Sequence, residues 1–396
     1  MGRGVPANTP GQLFQLFREA WVATRRELAE TTELSRSTVA ARVDQLLAAG
    51  YLREGGTATS SGGRPPAILT VDDSTPTVLA ADLGATHGRL AVAEASGRLL
   101  AEEVIESRIA SGPEAVLSRV ADRFDALLAG TGRTPASLCG IGLGVPGPVD
   151  FVTARAVRPP IMPGWHDFGV RELLGRRFDC PVLLDNDANM MALGEQRLAR
   201  PSAASLVFVK VGTGIGAGIM VGGQLLRGID GAEGDLGHVR LRGNEHVCAC
   251  GATGCLATRA SGAAMARELR EQGLHASTSR DVVALVQHGN PVAVSLVRAA
   301  GLLLGEVLAT AVALINPDVL VIGGDIADTG EHFLRGVHEA LLQRTQPLAT
   351  RQLQVTTSKL GDRAGVAGAV VMVRDRVFSA EVVDARLRGA VVENVS

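Results

Sequence analysis

The 396-residue sequence predicts an α/β protein, with a small helical N-terminal unit followed by two related α/β lobes facing each other across a cleft. Three observations predict it. Hydrophobic residues make up 46% and charged residues 20% of the chain, the balance of a packed globular protein. Apolar residues at helical spacing dominate positions 10 to 50, and after Thr77 they give way to alternating strand-like and helix-like segments. The plan strand, glycine turn, strand occurs twice, in "TVLAADLGATHGRLAVAEASGRLL" and in "SLVFVKVGTGIGAGIMVGGQLLRG".

The first helix is expected across "GQLFQLFREAW", where Leu13, Phe14 and Phe17 form an apolar stripe. Thr24 and Glu27 in "TRRE" have capping-box spacing and start a second helix. Ser35 is the expected N-cap of a third, with Leu34 and Val39 spaced as a hydrophobic staple. Val39, Val43, Leu46 and Leu47 then mark its buried face, and Gly50 ends it. Arg36, Ser37, Thr38, Ala40, Ala41, Arg42 and Gln45 are left mostly facing outward. A short helix, a tight turn and a helix exposing Arg, Ser and Gln fit a helix-turn-helix, with small Ala40 and Ala41 allowing entry into a major groove. Ser35, Arg36, Ser37, Thr38, Arg42 and Gln45 are therefore candidate contacts to phosphates or base edges.

Next, "YLREGGTATSSGGRPPAILTVD" reads as two strands around a Gly/Ser-rich tip, the wing of a winged helix. Arg64, between "GG" and "PP", is the candidate minor-groove arginine. A small helical docking domain with a hairpin is the other reading of these residues.

In the lobes, "SLCGIGLGVPGPVD", "CPVLLDNDAN" and "INPDVLVIGGDIAD" are strands running into Gly, Pro or Asp-rich loops. "DLGAT" (Asp82 to Thr86) and "GTGIG" (Gly212 to Gly216) set backbone N–H groups and a Thr hydroxyl after a strand, as a phosphate cradle does. No Lys follows in Walker fashion, and glycine in a hairpin turn also serves simply to permit positive φ. Asp187, at a strand end and flanked by Asn186 and Asn189, is placed to accept a proton from a hydroxyl, and Asn186 to hold a polyol. An Asx-rich cap for the following helix explains the same residues.

His238, Cys248, Cys250 and Cys255 have the spacing H-x9-C-x-C-x4-C, one imidazole and three thiolates that complete a tetrahedral structural zinc shell. Free buried thiols, or a redox pair of Cys248 and Cys250, are the alternatives. Cys139 and Cys180 read as core residues.

The net charge of -2 gives no whole-chain sign of nucleic-acid binding, so any such activity must sit in a local patch. Aromatic residues at 3% argue against stacking of single-stranded bases. No apolar run reaches the length expected of a membrane span, and the N-terminus lacks a secretory apolar region, so a soluble cytoplasmic protein without membrane partners is expected. Only two lysines occur, Lys210 and Lys359, which reads as compositional bias.

The ordered set "GGRPP", "DLGAT", "GVPGPVD", "MPGW", "DNDAN", "GTGIGAG", "GDLGH", "CACGATGC" and "NPDVLVIGG" resembles the ROK family of repressors, open reading frames and kinases over nearly the whole chain. The resemblance implies a two-lobed actin-like, sugar-kinase (ribonuclease H-like) fold behind the winged helix-turn-helix. The expected divisions are 1–76 for the DNA-binding unit, 77–190 for the small lobe completed by 376–396, and 191–375 for the large lobe with the zinc site and dimer surface. It also implies sugar contacts at Asn186, Asp187, Asp235 and His238, with Asp187 as the base of a kinase. If ATP and Mg bind, the nucleotide would lie against Gly84, Thr86, Gly212, Thr213, Gly214, Gly323 and Gly324.

The sequence departs from that pattern where chemistry is expected. Ala257 stands where sugar binders carry a Glu, Asp235 where Glu is usual, Ile161 where Asn is common, and Ala85 and His87 within the first glycine loop. Loss of a carboxylate that orients a polyol weakens positioning. The expected function is thus a dimeric or dimer-of-dimers regulator, a repressor of carbohydrate-related genes that binds operator DNA and a sugar effector. An ATP-dependent sugar kinase with an appended DNA-binding unit is the rival.

Overall fold

The structure is a computed structural model that describes residues 7–20, 22–57 and 67–389. Arg64 lies outside the described residues.

The head comprises α1 (Pro10–Arg18), α2 (Arg25–Thr32), α3 (Arg36–Ala48) and the antiparallel pair β1 (Leu52–Thr57) and β2 (Ala67–Val71). Side chains of Thr9, Thr24 and Ser35 cap the three helices through the backbone N–H of Gln12, Glu27 and Thr38. Leu13, Phe14, Phe17, Leu28, Val39, Val43 and Leu46 are buried together, as their helical spacing requires.

The first lobe carries β3 (Thr77–Leu83), β4 (His87–Glu94), β5 (Leu99–Glu106), α4 (Pro113–Gly130), β6 (Leu138–Val145), the small hairpin β7 (Val149–Asp150) and β8 (Arg155–Ala156), α5 (Val170–Phe178) and β9 (Val182–Asn186). Helix α6 (Asp187–Gly194) leads into the second lobe. There follow β10 (Ser205–Val211), β11 (Ile215–Val221), β12 (Gln224–Leu226), α7 (Ala257–Ala260), α8 (Gly262–Glu271), α9 (Ser279–Gln287) and α10 (Pro291–Ile315). The lobe is completed by β13 (Val319–Gly323), α11 (Glu331–Arg344), α12 (Pro347–Thr350) and β14 (Gln354–Thr357). The chain ends in α13 (Ala364–Val377) and α14 (Ala380–Leu387).

The duplication read from the two glycine turns is realised strand for strand. The first sheet has the order β5-β4-β3-β6-β9 and the second β12-β11-β10-β13-β14. In each, an antiparallel meander is extended by two parallel strands. Strand alternation divides the core between faces. Leu79, Ala81 and Leu83 join Phe124, Trp165 and Leu174 beneath α4 and α5. Val78 and Ala80 face a different cluster, shared with Phe208, Met190, Val370 and the head residues Leu13 and Phe14. Helices α6 and α13 lie within this shared core, and α13 packs on β3 and β6. Helix α13 thus already packs against the first lobe's sheet from within the core that the two sheets share.

Contrary to the expectation from apolar runs, α10 has the length and mean hydropathy (1.9) of a membrane span. Its packing gives a different reason for that composition. Gly301 and Gly305 let it close on α11, Ala293, Val297, Ala300, Leu304 and Leu308 are buried, and Arg298–Glu339 and Arg344–Glu306 pairs flank the contact. It is a core helix of the second lobe.

Candidate functional site: a two-lobed cleft joined to a helix-turn-helix head

A cavity of about 670 Å³ opens between the lobes. It is lined from the first lobe by Asp82, Gly84, Thr86, His87, Ile161 and Asn186, and from the second by Lys210, Gly212, Thr213, Gly214, Asp235, His238, Ala257 and Gly324. The structure brings together the candidate sugar residues and both glycine turns. Gly323 is the exception among the candidate nucleotide residues: it lies flat on the Phe208 ring, where a Cβ would overlap the aromatic carbons, and does not line the cleft. Its role is packing, because only a residue without a side chain fits against that ring.

Asn186 ends β9 as the N-cap of α6. Its Oδ1 accepts from Ala188 N (2.9 Å) and Asn189 N (3.4 Å), and its Nδ2 donates to Gly147 O (3.0 Å). The capping explanation thus accounts for most of its polar capacity, leaving one amide hydrogen. Behind it, Asp185 accepts from Asn189 Nδ2 (3.1 Å) and from Arg227 Nε (3.0 Å), and Arg227 stacks 3.8 Å from the Phe151 ring centre.

Asp187 is buried and paired with Lys210, whose Nζ donates to Asp187 Oδ2. Lys210 enters from β10, two residues before the second glycine turn. Burial acts to lower the Lys210 pKa, but the charges of Asp187 and Asp82 outweigh it and the net shift is upward. Asp82, at the end of β3, can be reached from the cleft floor yet is enclosed by protein. Burial pushes its pKa up to about 6, with Lys210 the strongest opposing influence. Its Oδ1 has no hydrogen-bond partner. Neither Lys210 nor Asp82 was marked as chemical by the sequence, although a lysine in a chain that otherwise uses arginine was a usable signal.

Arg280 of α9 reaches across the cleft to His87 of β4, with Nη2 3.1 Å from His87 Nε2. Burial, then the Arg280 charge, lowers the His87 pKa, so a neutral imidazole accepts this bond.

At the cleft wall, His238, Cys248, Cys250 and Cys255 bring their ligand atoms within 4.8 Å of one another. His238 Nδ1 lies 3.6 Å from Cys248 Sγ, and Cys250 Sγ 3.7 Å from Cys255 Sγ. Gly251 and Gly254 adopt φ of 88° and 91°, which lets the loop turn tightly around them. The other imidazole nitrogen, Nε2, is 3.9 Å from Asp235 Oδ1. The cluster is suited to hold a metal ion.

On the head, Arg36, Ser37, Ala41 and Gln45 are exposed on α3, whereas Thr38, Ala40 and Arg42 are half-buried. Arg42 has one guanidinium nitrogen enclosed without a partner. Ser35 is exposed but caps α3 and contacts Ser37 Oγ (2.9 Å) and Thr38 Oγ1 (2.8 Å), so its hydroxyl is largely committed. Arg25 ties α2 to Asp44 on α3 at 2.7 Å.

How the head meets the body is not written in any local sequence pattern. Helix α1 packs on α14, with Gly11 N donating to Asp384 Oδ1 (2.7 Å), Gln15 Nε2 to Phe378 O (2.7 Å) and Arg18 pairing with Asp375 (2.7 Å). Phe14, Tyr51 and Phe378 form an aromatic trio with ring centres 5.4–6.2 Å apart. At its other end, α13 touches the cleft, since Gly365 lies directly against Asp82.

A family model described as "ROK family" matches residues 78–376, and one described as "Winged helix-turn-helix DNA-binding" matches residues 22–53. A xylose repressor of Caldicellulosiruptor bescii is 29% identical over 90% of this chain and 93% of its own length. A glucokinase of Halalkalibacterium halodurans is 30% identical over 76% of this chain and 96% of its own. Among solved structures, a ROK family transcriptional regulator described as a homolog of the E. coli MLC protein shares the fold, with a TM-score of 0.80 at 22% identity, over 96% of this chain and 98% of that one.

Proposed function

The chain belongs to the ROK family, and from that premise we propose that it is a sugar-responsive DNA-binding regulator, a repressor of carbohydrate-related genes. The observation that carries this reading is the physical join between cleft and head. Helix α13 spans about 21 Å at 1.5 Å per residue, starting against Asp82 and ending at Asp375 and Phe378, where α1 is held.

The head therefore moves with the first lobe. A dimer formed through the second lobes, where Leu314, Leu342 and Leu348 expose apolar surface around α10, α11 and α12, converts cleft closure into a change in spacing between two heads. Operator half-sites are read at fixed spacing, so that change alters affinity. The effector acts only by favouring one lobe angle over the other. A dimer or dimer of dimers, acting in the cytoplasm where its operator DNA resides, is the corresponding assembly.

Asn186, Asp187, Asp235 and His238 are the proposed sugar contacts. On the head, Arg36, Ser37 and Gln45, with Thr38, Arg42, Ser35 and Arg64, are the proposed DNA contacts. Zinc is the proposed metal. Tetrahedral bonds of about 2.3 Å to sulfur and 2.0–2.1 Å to nitrogen imply S–S edges of about 3.8 Å and N–S edges of about 3.6 Å, which agree with the 3.7 and 3.6 Å separations. The ion would be structural, holding His238 and its loop in the cleft wall.

The glycine turns in the cleft and the glucokinase relative favour a second reading, an ATP-dependent sugar kinase with Asp187 as base. One experiment separates the two. Sugars that raise the melting temperature of the full-length protein are tested for operator release and, with ATP, for ADP formation. Release without ADP supports the regulator. ADP formation abolished by Asp187→Asn supports the kinase.

A further inference from the structure

Phosphoryl transfer from a nucleotide needs a divalent cation held by carboxylates beside the phosphate loops. Asp82 and Asp187 converge at that place, one from the end of β3 and one from the start of α6, with the two glycine turns beside them. The Asp187 side of that place is taken by the chain itself. Lys210, with only 19% of its side chain exposed, donates to Asp187 and is also the strongest favourable charge on Asp82. A magnesium nucleotide does not fit these residues as they stand. A metal bonded to the Asp187 oxygen would have to displace the ammonium from that oxygen, and the two cations would repel each other in an enclosed site.

We propose that Lys210 is a resident cation that stands in place of a divalent metal between Asp82 and Asp187, making the cleft a receptor for an uncharged polyol that excludes magnesium nucleotides. An ammonium has three donors and spends one on Asp187. The pair thus offers a polyol hydroxyl both a donor, from Lys210, and an acceptor, from Asp187. A compact ammonium suits a gap between two carboxylates better than the planar guanidinium that carries nearly all the other positive charge of this chain. The inference rests on the cleft being the effector pocket, and it assigns that pocket its ligand class.

The test uses zinc-loaded full-length protein and Mn²⁺ alone, with free Mn²⁺ followed by electron paramagnetic resonance. The wild type is expected to bind no Mn²⁺ that Asp82→Asn removes. Lys210→Met, checked for folding by circular dichroism, is expected to gain one site per chain, tighter than any in the wild type by more than an order of magnitude. The double variant Lys210→Met/Asp82→Asn is expected to lose it. Wild-type binding that Asp82→Asn abolishes overturns the proposal, as does a folded Lys210→Met that gains nothing. If Lys210→Met fails to fold, the wild-type and Asp82→Asn titrations decide by themselves. Failure here leaves sugar-dependent operator release unaffected, so the two readings fail separately.

Discussion

Replacing Asp82 by Asn is expected to stabilise the protein at neutral pH and to do so less as the solution is acidified. Asp82 is enclosed at the cleft floor with Oδ1 unpartnered, and burial raises its pKa from 3.8 to about 6. A carboxyl group whose folded pKa lies above its unfolded value destabilises the fold where both states are ionised. That penalty is absent below about pH 4, grows between about pH 4 and 6, and is complete above it. At 1.36 kcal/mol per pKa unit it reaches about 3 kcal/mol at pH 7.5. An Asn side chain is never charged and escapes the penalty, although its amide, if unpaired, gives back about 1 kcal/mol or more. That offset does not depend on pH, so the difference in benefit between pH 7.5 and pH 4.5 is the cleaner quantity, about 2 kcal/mol. With roughly 2 °C per kcal/mol for a chain of this size, the gap between Asp82→Asn and wild-type melting temperatures widens by about 4 °C from pH 4.5 to 7.5. Differential scanning calorimetry at several pH values measures it. A gap that is constant with pH, or that widens on acidification, refutes the assignment of Asp82 as an enclosed carboxyl whose burial outweighs the attraction of Lys210.

Gly11→Ala is expected to unseat α1 from α14, because the new Cβ would collide with the Ala380 carbonyl oxygen, a backbone atom that cannot swing away. The cost should be about 1–3 kcal/mol. Operator binding should then respond less to the sugar than in the wild type, and a full response in a folded Gly11→Ala protein counts against coupling through α13 and α14. Cys250→Ser is expected to lower metal content and destabilise the second lobe, and full metal occupancy in that variant removes Cys250 from the shell.

Much of the site was legible because its signals are local. The His238-Cys248-Cys250-Cys255 spacing points to a ligand set in one stretch of chain, and the structure gathers the four ligand atoms within 4.8 Å of one another. The glycine turns after β3 and β10 are written in a few consecutive residues, and both line the cleft. Asn186 shows where local reading stays ambiguous: the same side chain is a cap by geometry and a proposed polyol contact by its place on the cleft, and sequence spacing is identical for both.

Each segment's own periodicity is written in its residues: the capped helices of the head, the twice-used meander, the cysteine loop. Capping and alternation act over a few residues, so they can be read without knowing what packs against them. Long-range packing settles that Lys210 meets Asp187, that Gly323 is a seat for Phe208, and that α1 docks on a helix 373 residues further along the chain. Those outcomes depend on which surfaces of distant elements are brought face to face, and on how far water is excluded between them. Neither quantity is encoded in the spacing of any one segment.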